Sequence, residues 1–285
     1  MRPSDGSLPR CREPLNMEER RFQLTRHQPA RDLARFVEHY WIVTWDFRGQ
    51  GSYQAEILPH PRVHLVIAKD QSRVFGVVKG MFSYRYEESG CVFGVRFKPG
   101  AVYPLLHMPL AQFTNTSLSI KETLGIEDAI LEKALLFQED KAAMIEYMEY
   151  FLRKRIVERD EHEKVIQQML DHIVTNREIS RVEDLVSRFN LSKRTLQRLF
   201  HQYVGVSPKW VIQHYRLHEV ARRLTEGDGV DWSQLALELG YCDQAHFSRV
   251  FKATVGKAPA AYAKTVGADS SASSTCVILH KVDEA

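Results

Sequence analysis

The sequence predicts an α+β protein in two parts. A β-rich, barrel-like N-terminal domain is followed by helices, then by an all-α C-terminal domain in which two helix-turn-helix motifs are joined by a connecting helix. Three observations predict this. Short segments of alternating character, punctuated by glycine and proline, fill about 22–118. Residues 127–157 contain neither glycine nor proline. One pattern is written twice, as NLSKRTLQRLFHQYVGVSP (190–208) and GYCDQAHFSRVFKATVGKAP (240–259).

The β-rich part rests on HYWIVTWDF (39–47), RVHLVIA (62–68) and GCVFGVRF (90–97), separated by RGQG, LPHP and FKPG. Alternation of apolar and polar residues gives a strand one buried and one solvated face. Regular spacing of short strands favours a small barrel or sandwich. The helical run over 127–157 carries Ile145, Met148, Tyr150, Leu152 and Ile156 as a broad apolar stripe, from which dimerisation is expected. A further helix is predicted over 161–175. The resulting organisation is a disordered tail (1–20), a β-rich domain (21–120), a helical linker and oligomerisation region (121–175), an all-α domain that carries the repeat (176–266) and a flexible tail (267–285).

The second half of the repeat keeps a single offset. Leu196, Arg198, Phe200, Gly205 and Pro208 recur 51 positions later as Phe247, Arg249, Phe251, Gly256 and Pro259. Leu185 and Leu235 are separated by 50, so the second turn holds one extra residue. In the first copy Ser180 to Glu183 fits a capping box, Asn190 suits a left-handed turn, and Ser192 caps the next helix. Leu196, Leu199, Phe200 and Tyr203 then face a core, leaving Lys193, Arg194, Gln197, Arg198 and His201 outside. In the second copy Asp231 is the cap, with Gln234 at the capping-box position. Gly240 takes the turn, and Cys242 or Asp243 opens the helix. Phe247, Val250 and Phe251 point inward; Gln244, His246, Ser248, Arg249 and Lys252 point out. Between the copies, Ser207-Pro208 starts a connecting helix with Val211, Ile212, Tyr215, Val220 and Leu224 buried, and Gly227-Asp228-Gly229 ends it.

Arginine and glutamine make paired hydrogen bonds to base edges in the major groove. From Arg181 to Arg223 there are nine Lys or Arg and three acids, although the whole chain carries only +3. A local basic excess is what phosphate contacts require. Two recognition helices on one chain fit two major-groove segments about one turn, roughly 34 Å, apart. The candidate DNA-binding residues are Lys193, Arg194, Gln197, Arg198, Gln244, His246, Arg249 and Lys252. Arg198 and Arg249 each have three readings: base reader, phosphate contact or internal ion pair.

At these residues the chain resembles the AraC family of bacterial transcription regulators, over about Ser180 to Ala263. The most specific match is LALELGYCDQAHFSRVFKATVGKAPAAY, and RLHEVARRL (216–224) resembles the family's connecting helix. The resemblance implies Arg194, Gln197 and Arg198 as groove-facing in the first unit, and Gln244, His246 and Arg249 in the second. Val186, Asn190 and Cys242 depart from the family's usual alanine, glycine and serine. Upstream, FVEHYWIVTWDFRGQ (36–50), EILPHPRVHLV (56–66) and GVRFKPGAVYPLL (94–106) are similar to a less characterised sensor-type domain on some members, which implies a cupin-like, β-rich fold. Such members often bind a small effector and dimerise through N-terminal-domain helices.

Trp41, Trp45, His60, His64 and Arg96 are the candidate effector-binding residues. Each has a plainer account: core packing for the tryptophans, a turn for the histidines, an exposed strand position for Arg96. Glu56, His60 and His64 would share a face of an unbroken strand, but Pro59 and Pro61 argue against one, so no metal and no cofactor is expected. Cys11, Cys91, Cys242 and Cys276 are too scattered for a zinc knuckle, a redox pair or an alkyl-repair centre. The chain shows no Ser-His-Asp, P-loop or dinucleotide motif, so an enzyme is not expected. The alternatives are a DNA-binding unit fused to an enzymatic or metal-binding cupin-like domain, and an interaction scaffold that does not bind DNA. The first twenty residues lack a signal peptide's apolar core, and no run reaches the ~18 apolar residues of a membrane span. Expected partners are double-stranded promoter or operator DNA, RNA polymerase, a small-molecule effector and a second copy of the chain. The expected place is the cytoplasm, at the nucleoid when bound to DNA.

Overall fold

The computed structural model describes residues 21–49, 51–57, 60–138, 140–156, 161–176, 179–225, 231–268 and 277–282. The expected 1–20 tail and the Gly227-Asp228-Gly229 helix stop lie outside the described residues. The strands are β1 (Phe22–His27), β2 (Val37–Asp46), β3 (Ser52–Ile57), β4 (His64–Ala68), β5 (Arg73–Phe75), β6 (Phe82–Tyr86), β7 (Ser89–Phe97), β8 (Ser117–Ser119) and β9 (Val277–Val282). Among the described residues they form two antiparallel sheets, in the orders β1-β2-β7-β4-β5-β8 and β6-β3-β9. The α+β class is as the sequence predicts. The barrel-like element is instead a pair of open sheets: β1 and β8 end the larger one without pairing to each other.

The larger sheet buries a different set of side chains on each face. Tyr40 and Ile42 of β2, Phe93, Val95 and Phe97 of β7, and Leu65 and Ile67 of β4 share one core with helices. These helices are α1 (Tyr103–Leu106), α2 (Ile120–Leu124), α3 (Asp128–Leu136) and α4 (Lys141–Arg153). On the other face Val43 packs with Phe47, Tyr53, Ala55 and Tyr86 around the smaller sheet. A bulge between Val37 and His39 opposite β7 resets the alternation, so that Val37 and Tyr40 both reach the helical core. The bulge releases Glu38 from a core-facing register.

Two expectations are corrected here. The run over 127–157 is two helices, not one, because Asp140 caps a new start by accepting from the Ala142 amide at 3.0 Å. Its stripe is also largely consumed within the chain, with Met148 and Leu152 fully buried under the sheet and Tyr150 56% exposed. The tail read as flexible over 267–285 includes β9, which pairs with β3 from Ser52↔Val282 to Ile57↔Val277.

α5 (Glu161–Thr175) spans the residues predicted for it, but joins the core of the C-terminal part. There it packs with α6 (Val182–Phe189), α7 (Lys193–Tyr203) and α8 (Pro208–Thr225). Val77, from the loop between β5 and β6, is buried in that same core. α9 (Trp232–Glu238), α10 (Gln244–Val255) and α11 (Pro259–Ala268) form a separate core with Leu217 and Val220 of α8, and Met81 packs against it.

Candidate nucleic-acid interface

The first helix-turn-helix is α6–α7. Asp184 reaches back to the Arg181 amide at 2.7 Å and the Ser180 amide at 2.8 Å, one residue later than the predicted capping box. Asn190 takes φ 50° in the turn, and Ser192 accepts from the Thr195 amide at 3.1 Å to start α7. Leu196, Leu199, Phe200 and Tyr203 are buried, which turns Lys193, Arg194, Gln197, Arg198 and His201 to solvent. Arg216, counted in the basic excess, is half-buried and donates to the Ile179 carbonyl at 2.5 Å, so it holds the unit together.

The second is α9–α10. Asp231 accepts from the Ser233 and Gln234 amides at 2.9 and 3.1 Å, while the Gln234 side chain bonds Glu238. Gly240 has φ 76° in the turn, and Asp243, not Cys242, caps α10 by accepting from the His246 amide at 2.7 Å. Phe247, Phe251 and Val255 are buried. Gln244, Arg249 and Lys252 are exposed. His246 is half-buried with its ring 5.5 Å from that of Tyr241, so it is less open to solvent than these neighbours.

One residue of each recognition helix is held from behind. The Lys193 ammonium lies 2.9 Å from Glu183 of α6, and its hydrogen bond holds the Glu183 carboxyl below the usual carboxylate range. At the equivalent place in the second unit, the Ser233 hydroxyl of α9 donates to Gln244 Oε1 at 3.1 Å.

The five candidate effector residues separate. Trp41 and Trp45 lie on the same sheet face, over Gly94 and Gly90 of β7, where a Cβ would stand 1.9 and 2.4 Å from the indoles. Trp45 Nε1 donates to the Glu87 carbonyl at 2.9 Å. Trp41 stays with His64 (ring centroids 6.4 Å apart), and His64 is directly opposite Arg96 across the strands. His60 meets the group only through Arg62, whose Nη1 lies 3.3 Å from His60 Nδ1; its ring is 5.6 Å from His214 of α8. Sequence reasoning missed Glu38, which bonds Arg62 and lies 3.5 Å from Arg96 Nε. It also missed His39. Burial and the nearby Arg96 push His39 down to about 4 and His64 well below its ordinary value, so both rings are neutral at pH 7. The proline-flanked EILPHP segment around His60 offers no sign of these partners; a strand bulge at Glu38 is set by pairing, not by local pattern. Glu56 is on β3 and His64 on β4, so the unbroken strand considered for a metal is absent. Among the described residues no three His, Cys, Asp or Glu are grouped as a metal ion would require.

The architecture is thus a double helix-turn-helix with two polar recognition faces, set against a β-rich domain. Residues 185–265 match the family model described as a helix-turn-helix domain, and residues 25–119 match a domain of unknown function, DUF6597. Among curated relatives, the HTH-type transcriptional activator RhaS of Pectobacterium carotovorum is 36% identical over 75 residues, 26% of either chain. The raffinose operon transcriptional regulatory protein RafR of Pediococcus pentosaceus is 33% identical over 86 residues, 30% of this chain and 31% of its own. The Msm operon regulatory protein of Streptococcus mutans is 28% identical over 162 residues, 56% and 54% respectively. The matched part spans about a quarter of the length of the first of these relatives. Among solved structures, the C-terminal domain of AraT from Geobacillus stearothermophilus aligns with TM-score 0.34 and 23% identity, over 37% of this chain and 88% of that one. ToxT from Vibrio cholerae aligns with TM-score 0.35 and 15% identity, over 86% and 98%. The C-terminal part of the chain is a helix-turn-helix domain of the AraC type.

Proposed function

We propose that this protein is a sequence-specific DNA-binding transcriptional regulator whose α7 and α10 read adjacent major-groove segments. The observation that carries this is the duplication itself: two recognition helices, each with its apolar side buried and a basic or amide-bearing side exposed. Arg194, Gln197 and Arg198 are the readers of the first unit, and Gln244, His246 and Arg249 those of the second. Lys252 serves phosphate, and Lys193 stands on the same side of its helix, paired with Glu183. The reading involves no enzymatic step, and its partners are operator DNA and RNA polymerase in the cytoplasm. Among the described residues no helix is long and apolar enough to cross a membrane.

The N-terminal domain modulates the reader by binding a small anion on the face of Trp41, His64 and Arg96. Trp45 and His60 belong to packing and to the contact with α8. Support comes from two guanidiniums, Arg62 and Arg96, sharing the one carboxylate of Glu38, and from the touching of His60 and His214. Homodimerisation uses the exposed Ile130, Phe137 and Tyr150 of the α3–α4 region; sedimentation at micromolar concentration tests it, and a monomer with and without DNA contradicts it.

The test of the main reading is binding to genomic fragments at several salt concentrations. A few fragments retained at physiological salt, sharing two motifs one helical turn apart, support it; uniform weak binding that salt abolishes opposes it. Arg198→Ala and Arg249→Ala should each cost about 1–3 kcal/mol on the selected site. Unchanged affinity in both folded variants removes those two residues from the readers.

A further inference from the structure

We infer that the second residue of the leading helix in each unit sets what the recognition helix offers to DNA at its first position. Glu183 holds Lys193 back from phosphate, whereas Ser233 holds Gln244 without altering charge. The inference rests on the DNA-reading proposal above.

The repeat makes the two pairs equivalent. Ser233 follows Glu183 by 50 positions, the offset of the leading helices, and Gln244 follows Lys193 by 51, the offset of the recognition helices. Both pairs bridge the two helices of their unit, at 2.9 Å in the first and 3.1 Å in the second. All four side chains are exposed or on the solvent side of their helices, so packing does not dictate the bridge. The first residues of a recognition helix are those that enter the groove. A lysine there would neutralise one phosphate and release one counterion. Paired with Glu183, it brings no net charge and a carboxylate alongside. The first unit therefore binds backbone less strongly than its basic composition implies, and leans more on Arg194, Gln197 and Arg198. In the second unit the bridge is neutral. It fixes the Gln244 carbonyl on Ser233 and leaves the amide hydrogens to the groove.

The consequence is read in the salt dependence of binding, which a merely structural role of Glu183 would not move. The full-length protein is titrated onto a fluorescent random-sequence duplex of about 30 bp, three helical turns, across a fourfold range of sodium chloride. Glu183→Gln should bind tighter at low salt. Its log–log slope should steepen by about 0.9, which is roughly a 3.5-fold greater loss of affinity over that range. The double variant Glu183→Gln/Lys193→Gln should return to the wild-type slope, and Ser233→Ala should keep it. A wild-type slope in Glu183→Gln overturns the inference. So does a double variant as steep as the single, or a Ser233→Ala slope that changes as much. A wild-type protein whose affinity ignores salt is a different failure, that of the DNA-reading proposal itself.

Discussion

The two helix-turn-helix units share a plan and differ in what stands behind them. The first is built into the rest of the molecule: its core includes α5 and Val77, Thr114 Oγ1 donates to the Gly205 carbonyl at 2.6 Å, and Tyr103 packs on Tyr203 with rings 4.6 Å apart. The second closes its own core around Phe247 and Phe251, and the N-terminal domain adds Met81 at its edge. Gly205 and Gly256 show the contrast at one repeated position. Both have positive φ, 88° and 79°. A Cβ on Gly205 would lie 3.0 Å from the Leu110 carbonyl oxygen and 3.1 Å from Thr114 Oγ1, while one on Gly256 would meet nothing within 4 Å. A duplicated motif has become one braced unit and one suspended unit, with α8 as the connection.

The largest expected effects test that division. Phe200→Ala and Phe251→Ala remove equivalent, fully buried rings, each at a cost of about 3–5 kcal/mol. Phe200→Ala should lower the melting of the N-terminal domain and first unit together. Phe251→Ala should melt the second unit early and leave the main transition near its wild-type temperature. Calorimetry distinguishes the two, and identical traces break the comparison. Next, Gly205→Ala should cost about 2–3 kcal/mol, from left-handed strain plus crowding, against about 1 kcal/mol for Gly256→Ala, from strain alone. Urea unfolding measures both, and equal costs mean that the brace at Leu110 and Thr114 yields freely.

Acid sharpens the comparison from the other side. His39 is depressed to about 4, through burial and Arg96, from an unfolded value of 6.5. Its contribution is fully present above pH 6.5 and is lost as pH falls toward 4, because the unfolded chain takes up the proton first. Allowing for its partial exposure, this amounts to about 1–2 kcal/mol. The N-terminal domain should weaken across that window, and His39→Gln should flatten the dependence; a stability constant from pH 7 to 4.5 contradicts it. The smallest effect is Thr114→Val, about 1 kcal/mol for the lost bond to Gly205, felt in the first unit and not in the second.

Much of this was legible in the chain. The recognition faces follow from helical period and the repeat, because Leu196, Phe200, Phe247 and Phe251 must be buried together and so fix which side is outside. Caps at Ser192 and Asp231 and the turn at Gly240 follow from local chemistry. The asymmetry between the units was not legible. Thr114 and Gly205 are 91 positions apart, and Val77 belongs to a loop with no periodicity to mark it as core. The Glu38 cluster depends on a bulge and on strand order, which alternation alone does not specify. Asp140 is the exception: a cap residue inside a run without glycine or proline marks a helix start by its local chemistry.

Native-state hydrogen exchange of the full chain without DNA tests the braced-and-suspended account most directly, because it reports the opening free energy of each helix. The account predicts that α7 exchanges at a free energy close to that of β2 and β7, while α10 opens at a distinctly lower one. Equal protection of α7 and α10 would contradict it.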